Sequence, residues 1–295
     1  MKERKRSTFE PTLVSLTGVG VMFFSAWGSG AAATLLLNWR KPTPDYELYF
    51  WVNGALRLGL TAFGIAMLDR RGWLNDEEYS GRHFSESVPA ALPGFALAAA
   101  WLIENAWRTR PYWQPVRFTY LASALFFAFT SAWLQEVVCR DYLLKDLVNL
   151  YGRNRHGARK GMILSCVVTG LFPLVHLAGT DPGHQLDAAV NIITAVILGL
   201  YLCLVYQDGG NLWPGIFVQT LMWSSRTIWY SMLNEAYFLA YGDEAAPAAL
   251  ILRHLVIPLL PLALILPSLI RRWKAMPPEG SGRWKRIPRT LHPED

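Results

Sequence analysis

Eight apolar runs, most of them about twenty residues long, divide this chain and leave it one fold, a helical membrane bundle. They cover roughly 11–38, 49–68, 89–107, 118–148, 160–178, 187–206, 212–240 and 247–270. Twenty residues of helix rise about 30 Å, the thickness of the hydrocarbon core of a bilayer. Inside that core a helix pairs every backbone N–H and C=O within its own segment, which an irregular chain cannot do. Composition agrees: 52% of residues are hydrophobic and 17% charged, against about a quarter charged in a soluble domain. The expectation is an all-α, polytopic transmembrane bundle of about eight spans, forming one integral membrane domain over 1–295.

Basic residues set the expected orientation. With the N-terminus inside, 19 of the 28 Lys and Arg fall in inner segments, five in outer segments and four within the runs. The positive-inside rule then puts both termini in the cytoplasm of a cell whose inner membrane holds the protein. The 271–295 segment reads as a basic cytoplasmic tail in contact with the lipid bilayer, with Trp273 and Trp284 near the headgroups. This topology accounts for the net charge of +6 without a nucleic-acid partner. The N-terminal MKERKRS followed by an apolar stretch has the look of a signal peptide. That stretch runs past Ala31, Ala32 and Ala33 to Leu37, so a retained span is expected. Cys139, Cys166 and Cys203 all lie in runs, and their odd number argues against a disulfide framework. No cofactor and no metal site is implied by any Cys or His spacing.

Polar residues inside the runs carry the functional signal, because ionisable groups at that depth normally face a protein interior or a site. Gln135, Glu136 and Arg140 interrupt the fourth run, His176 the fifth, and Asn211 and Gln219 flank the start of the seventh. Glu136 and Arg140 are four apart with the acid first, the favourable order for an ion pair within a helix. Gln135 points about 100° away from Glu136 and so faces a different neighbour. The hairpin around 151–157 places Gln135 and His176 at similar depths, within about one helical turn. Pro214 suits the first turn of a helix, with Gln219 just inside it.

Arranged in order, these residues resemble the CPBP intramembrane proteases, which include the CAAX prenyl endopeptidases and the Abi-type bacterial membrane proteins. That family's first motif is Glu-Glu-x-x-x-Arg, here Gln135-Glu136 through Arg140, followed by Tyr142 and Leu143. Its second is Phe-x-x-x-His, matched by Phe172 and His176. Its third is His-x-x-x-Asn or Asp after a Gly-Asn-Leu-Trp-Pro type of lead-in. The lead-in stands at 210–214, including Asn211, while the motif positions hold Gln219 and Trp223. The resemblance covers about 118–225 and implies an eight-span fold and an endopeptidase acting on a membrane-embedded or lipidated peptide or protein.

It also implies roles. The family's general-base Glu corresponds to Gln135, which takes up no proton at physiological pH. The oxyanion-side His corresponds to Gln219, which still donates a hydrogen bond, and the Asn to Trp223. His176, Glu136 and Arg140 are retained. Two functions follow. One is a protease with a rewired site built on His176, Glu136, Arg140, Gln135 and Gln219, with Phe172, Trp223 and Asn211 binding. The other is a catalytically inactive scaffold of the same fold. By helical geometry Glu136 is expected to turn away from the site unless the helix is locally rewound.

Weaker candidates remain. Asp181, His184 and Asp187, on the short outer loop after His176, read as a solvated acidic loop, with a bound cation as the alternative. Arg226 lies seven residues after Gln219, on nearly the same face, and either adds a cation to the cavity or pairs with Glu235 or Glu104. Arg57 and Glu104 are expected to pair across the second and third spans.

Overall fold

The fold is helical where a computed structural model describes it, over residues 46–70, 76–79, 84–152, 154–170, 182–232 and 251–276 with positions 20, 32, 33 and 74. The helices are α1 (Tyr46–Arg70), α2 (Asp76–Tyr79), α3 (Phe84–Thr109), α4 (Phe118–Glu136), α5 (Lys145–Tyr151), α6 (Arg155–Gly170), α7 (Pro182–Gly209), α8 (Trp213–Met232), α9 (Ile257–Leu259) and α10 (Leu266–Ala275). A π-helical segment, Val137–Leu144, joins α4 to α5, so that Phe118–Tyr151 is one continuous rod of 34 residues. The protein is an integral membrane protein. Among the described residues four helices are individually long and apolar enough to span: Glu47–Arg70, Phe84–Thr109, Phe118–Tyr151 and Ala188–Gly209. The first expected run lies almost wholly outside the described residues, as do the ends of the fifth and seventh.

The last apolar run is broken where the sequence pattern suggests a straight span. His254–Leu264 and Leu266–Ala275 meet at 51°. Pro258, Pro261 and Pro267 each sit at the start of a short helical piece, since proline offers no N–H and clashes with the preceding turn. The indole of Trp101 supplies a donor to the Pro258 carbonyl at 3.0 Å.

The rod formed by α4, the π segment and α5 is the centre of the bundle. All eight residues Val137–Leu144 are buried, so the rod is enclosed on every side at that level. On one side lies α1, running parallel to it: Phe50 packs on Phe127, Arg57 meets Ser131, and Leu68 joins Val137 and Tyr142. Gly54 makes this approach possible, because a Cβ there would lie 2.7 Å from the Phe126 ring. On another side lies α8. Ala132 packs with Leu212 and Ile216 in a core that also takes in Leu144, Val148, Met162 and Cys203. A second core, Leu97, Trp101, Tyr201, Val205 and Val218, binds α3, α7 and α8 together.

Candidate functional site

Because α1 and α8 flank the central rod on different sides, Gln135 and Glu136 report to different helices. Gln135 lies four residues after Ser131, the residue that meets α1, and is partly buried. Glu136 lies four residues after Ala132, on the side that packs against α8, and is only 1% exposed. Gln219 of α8 donates its side-chain amide to Oε1 of Glu136. Arg140 Nη1 stands 2.7 Å from the same oxygen. Both contacts fall on Oε1, and among the described residues no donor reaches Oε2.

The expectation that Glu136 turns away holds only for a regular helix, and the contact with Gln219 puts its carboxylate at the third-motif position. The step of about 100° between Gln135 and Glu136 holds. What the helical wheel leaves open is which face α8 occupies, and α8 occupies the face of Glu136. The backbone is also rewound here, since the π segment starts at the next residue. The Ser165 hydroxyl of α6 donates to the Cys139 carbonyl inside that segment at 2.8 Å.

Two glycines shape the cradle around the ion pair. A Cβ at Gly215 would lie 2.8 to 3.0 Å from the Glu136 carboxylate atoms, so glycine there lets α8 close on the carboxylate without displacing it. Opposite, Arg140 Nη2 reaches the carbonyl of Gly199 on α7 at 3.5 Å. Gln219 is buried, and its Oε1 has no partner among the described residues. Asn211 is buried and its Oδ1 accepts from Trp213 N at 2.9 Å, fixing the first turn of α8 that Pro214 continues. Gln219 then sits roughly 9 Å inside that helix start.

The structure thus brings together Glu136, Arg140 and Gln219, with Asn211 anchoring the helix that carries Gln219. Trp223 is 36% exposed and does not join the Gln219 contact. His176, Phe172, Asp181 and Glu235 lie outside the described residues, as do the side chains of His184, Asp187 and Arg226 and most of the basic tail. The expected pairing of Arg57 with Glu104 is not formed. Glu104 pairs with Arg108 at 3.6 Å one turn along α3, whereas Arg57 meets Asn53 and Ser131.

A second buried polar cluster, missed in the sequence, stands roughly 13 Å further along the rod. Lys145 pairs with Glu78 at 2.8 Å and with Asp141, and the Tyr79 hydroxyl donates to the other Asp141 oxygen. Leu212 N donates to the Glu78 carbonyl at 3.1 Å, and the Trp213 indole to the Tyr79 carbonyl at 2.8 Å. The short helix α2 is thereby strapped to the start of α8. Burial, and then the neighbouring Asp141 charge, push the Glu78 carboxyl up to about 7, with Lys145 opposing. Burial likewise raises the Tyr79 phenol. The sequence did carry a signal: Asp141 and Lys145 repeat, five residues on, the four-residue acid-to-base spacing of Glu136 and Arg140.

Residues 117–225 match the family model described as Rce1-like, type II CAAX prenyl endopeptidase Rce1-like. No curated protein and no solved structure matches the chain.

Proposed function

We propose, from the match of residues 117–225 to the Rce1-like family model, that the chain is a CPBP-type intramembrane endopeptidase, with a rewired site, acting on a membrane-anchored peptide or protein. The observation that supports this reading is the posture of Glu136. Arg140 and Gln219 hold the carboxylate by one oxygen, and no described donor takes the other. A carboxylate fixed in that way is suited to receive the proton of a water placed at Oε2. The water oxygen then attacks the scissile carbonyl carbon, the C–N bond breaks as the tetrahedral intermediate collapses, and the proton passes to the leaving amine. The family resemblance gives His176 the task of positioning that water, with Gln135 as a neighbouring hydrogen-bonding group and Phe172, Asn211 and Trp223 at the edges. In this reading Gln219 orients Glu136 rather than supporting an oxyanion. Both termini lie in the cytoplasm, and the protein resides in the inner cell membrane.

One observation favours a second reading. Glu136 and Arg140 are each about 2% exposed or less and are paired, an arrangement that also serves to hold helices together with no chemistry. In that case the chain is a scaffold that binds a membrane protein or lipidated partner. Mass-spectrometric mapping of new protein termini in membranes separates the two. A deletion strain complemented with wild type is compared with one carrying His176→Ala at matched protein level. Termini that appear with wild type and vanish with His176→Ala support proteolysis and identify the substrate. Identical profiles in wild type, variant and deletion overturn the protease reading in favour of the scaffold.

A further inference from the structure

Arg57 occupies the middle of α1, and its partners among the described residues are all neutral. Its Nε donates to Asn53 Oδ1 at 3.3 Å and its Nη1 to Ser131 Oγ at 2.6 Å, while the guanidinium carbon stands 4.6 Å from the centre of the Phe127 ring. Both acceptors are held in that role by their own bonds. Asn53 Nδ2 donates to the Tyr49 hydroxyl at 3.1 Å, which turns the amide oxygen toward Arg57. The Ser131 hydroxyl donates to the Phe127 carbonyl, which leaves its lone pairs for the guanidinium. No carboxylate among the described residues pairs with Arg57, and no acceptor among them reaches Nη2. A guanidinium keeps its proton in a protein, so a fixed positive charge stands in mid-span with no described counter-charge.

We propose that the seam between α1 and α4 at Arg57 is a binding site for a carboxylate carried on an apolar chain. A carboxylate matches the open side of the guanidinium fork and neutralises it. The apolar chain follows from the approach: Leu56 and Leu58 beside Arg57 are exposed, so a ligand arrives across hydrocarbon-like surface. Gln135 lies about one helical turn along α4 from Ser131, so the site adjoins the first-motif region without using any motif residue. The inference therefore stands or falls independently of the endopeptidase reading. Two sources share this chemistry, a long-chain fatty acid and an apolar peptide ending in a free carboxylate.

The test is a binding titration on the full-length protein in nanodiscs. One arm uses cis-parinaric acid, a fluorescent fatty acid, against its methyl ester. The other uses a dansylated apolar peptide acid against the same peptide as its C-terminal amide. At least one acid is expected to bind about tenfold or more tightly than its neutral counterpart, the effect of one hydrogen bond to a charged group. The arm that shows the preference identifies the source. Arg57→Gln, which keeps a donor and removes the charge, is expected to abolish the preference, and Arg57→Lys to keep part of it. Equal binding of acid and neutral form in both arms by the wild-type protein overturns the proposal, and that outcome depends on no variant folding. A preference that survives in folded Arg57→Gln overturns it as well.

Discussion

Gln219 donates its side-chain amide to the carboxylate of Glu136 across 83 residues of sequence, and this contact ties α8 to the central rod where Arg140 already balances the acid. The three groups have almost no access to solvent. Their energetics are therefore those of a buried network, in which loss of one member leaves a charge uncompensated.

Arg140→Gln and Glu136→Gln are each expected to destabilise the protein by about 3–5 kcal/mol, the usual effect of orphaning one member of a buried pair. The double substitution Glu136→Gln with Arg140→Met is expected to be milder than the sum, because no charge is left behind. Unfolding of the detergent-solubilised variants, followed as a double-mutant cycle, checks the sign. Additive losses would mean the two charges are not coupled.

Gly215→Ala tests the cradle from the other side. Its Cβ would lie 2.8 Å from Glu136 Oε2, so α8 or the carboxylate must shift. The expected loss is about 1–3 kcal/mol, as for overpacking elsewhere. Gly59→Ala is the control, since a Cβ there meets nothing within 4 Å. Comparable thermal shifts for both variants would contradict the close approach of α8.

Glu78 gives a pH dependence of definite sign. Its carboxyl is raised from 4.5 to about 7 in the folded protein, chiefly by burial. A group whose folded pKa is raised contributes stability that is fully present below its unfolded pKa and is lost as pH rises through the folded value. This contribution is expected to fall away between about pH 4.5 and 7. Glu78→Gln should flatten that part of the profile. Melting curves at pH 5 and pH 8 for wild type and variant check it, and parallel profiles would refute the assignment.

The fold was legible in the sequence because each span announces itself as an apolar run about 20 residues long. The runs at 49–68 and 118–148 correspond to α1 and to the rod Phe118–Tyr151 within a few residues. The last run also reappears as helix, but bent, because apolar composition hides three prolines that break the backbone without altering hydropathy. In the site, the Glu136–Arg140 pair was readable from its four-residue spacing, since that contact lies within one helix. The contact with Gln219 was not. Periodicity gives the angle between Gln135 and Glu136, but the face that receives α8 is set by packing around Ala132, Leu212 and Ile216. The Glu78–Lys145 pair was out of reach for the same reason, joining residues 67 apart through a four-residue helix.

Cys166 on α6 and Cys203 on α7 have their sulfurs 3.7 Å apart in the core. Gly199 lets the two helices close there, a Cβ at that position lying 3.1 Å from the Cys166 sulfur. Treatment of the membranes with diamide is expected to link the pair, detected as one disulfide-bonded peptide after digestion. Cys203→Ser should abolish it. A Cys139–Cys203 link instead would contradict the helix register.

In the proposed chemistry the working group is the Glu136 carboxylate and not the Gln135 amide beside it, and terminus mapping in membranes tests this most directly. Wild type, Gln135→Ala and Glu136→Gln are expressed at matched levels in the deletion strain, and wild-type-dependent protein termini are quantified. Gln135→Ala is expected to retain most of them, while Glu136→Gln lowers their yield by about 10²–10⁴, the loss expected for a general base. Undiminished termini in Glu136→Gln would contradict it.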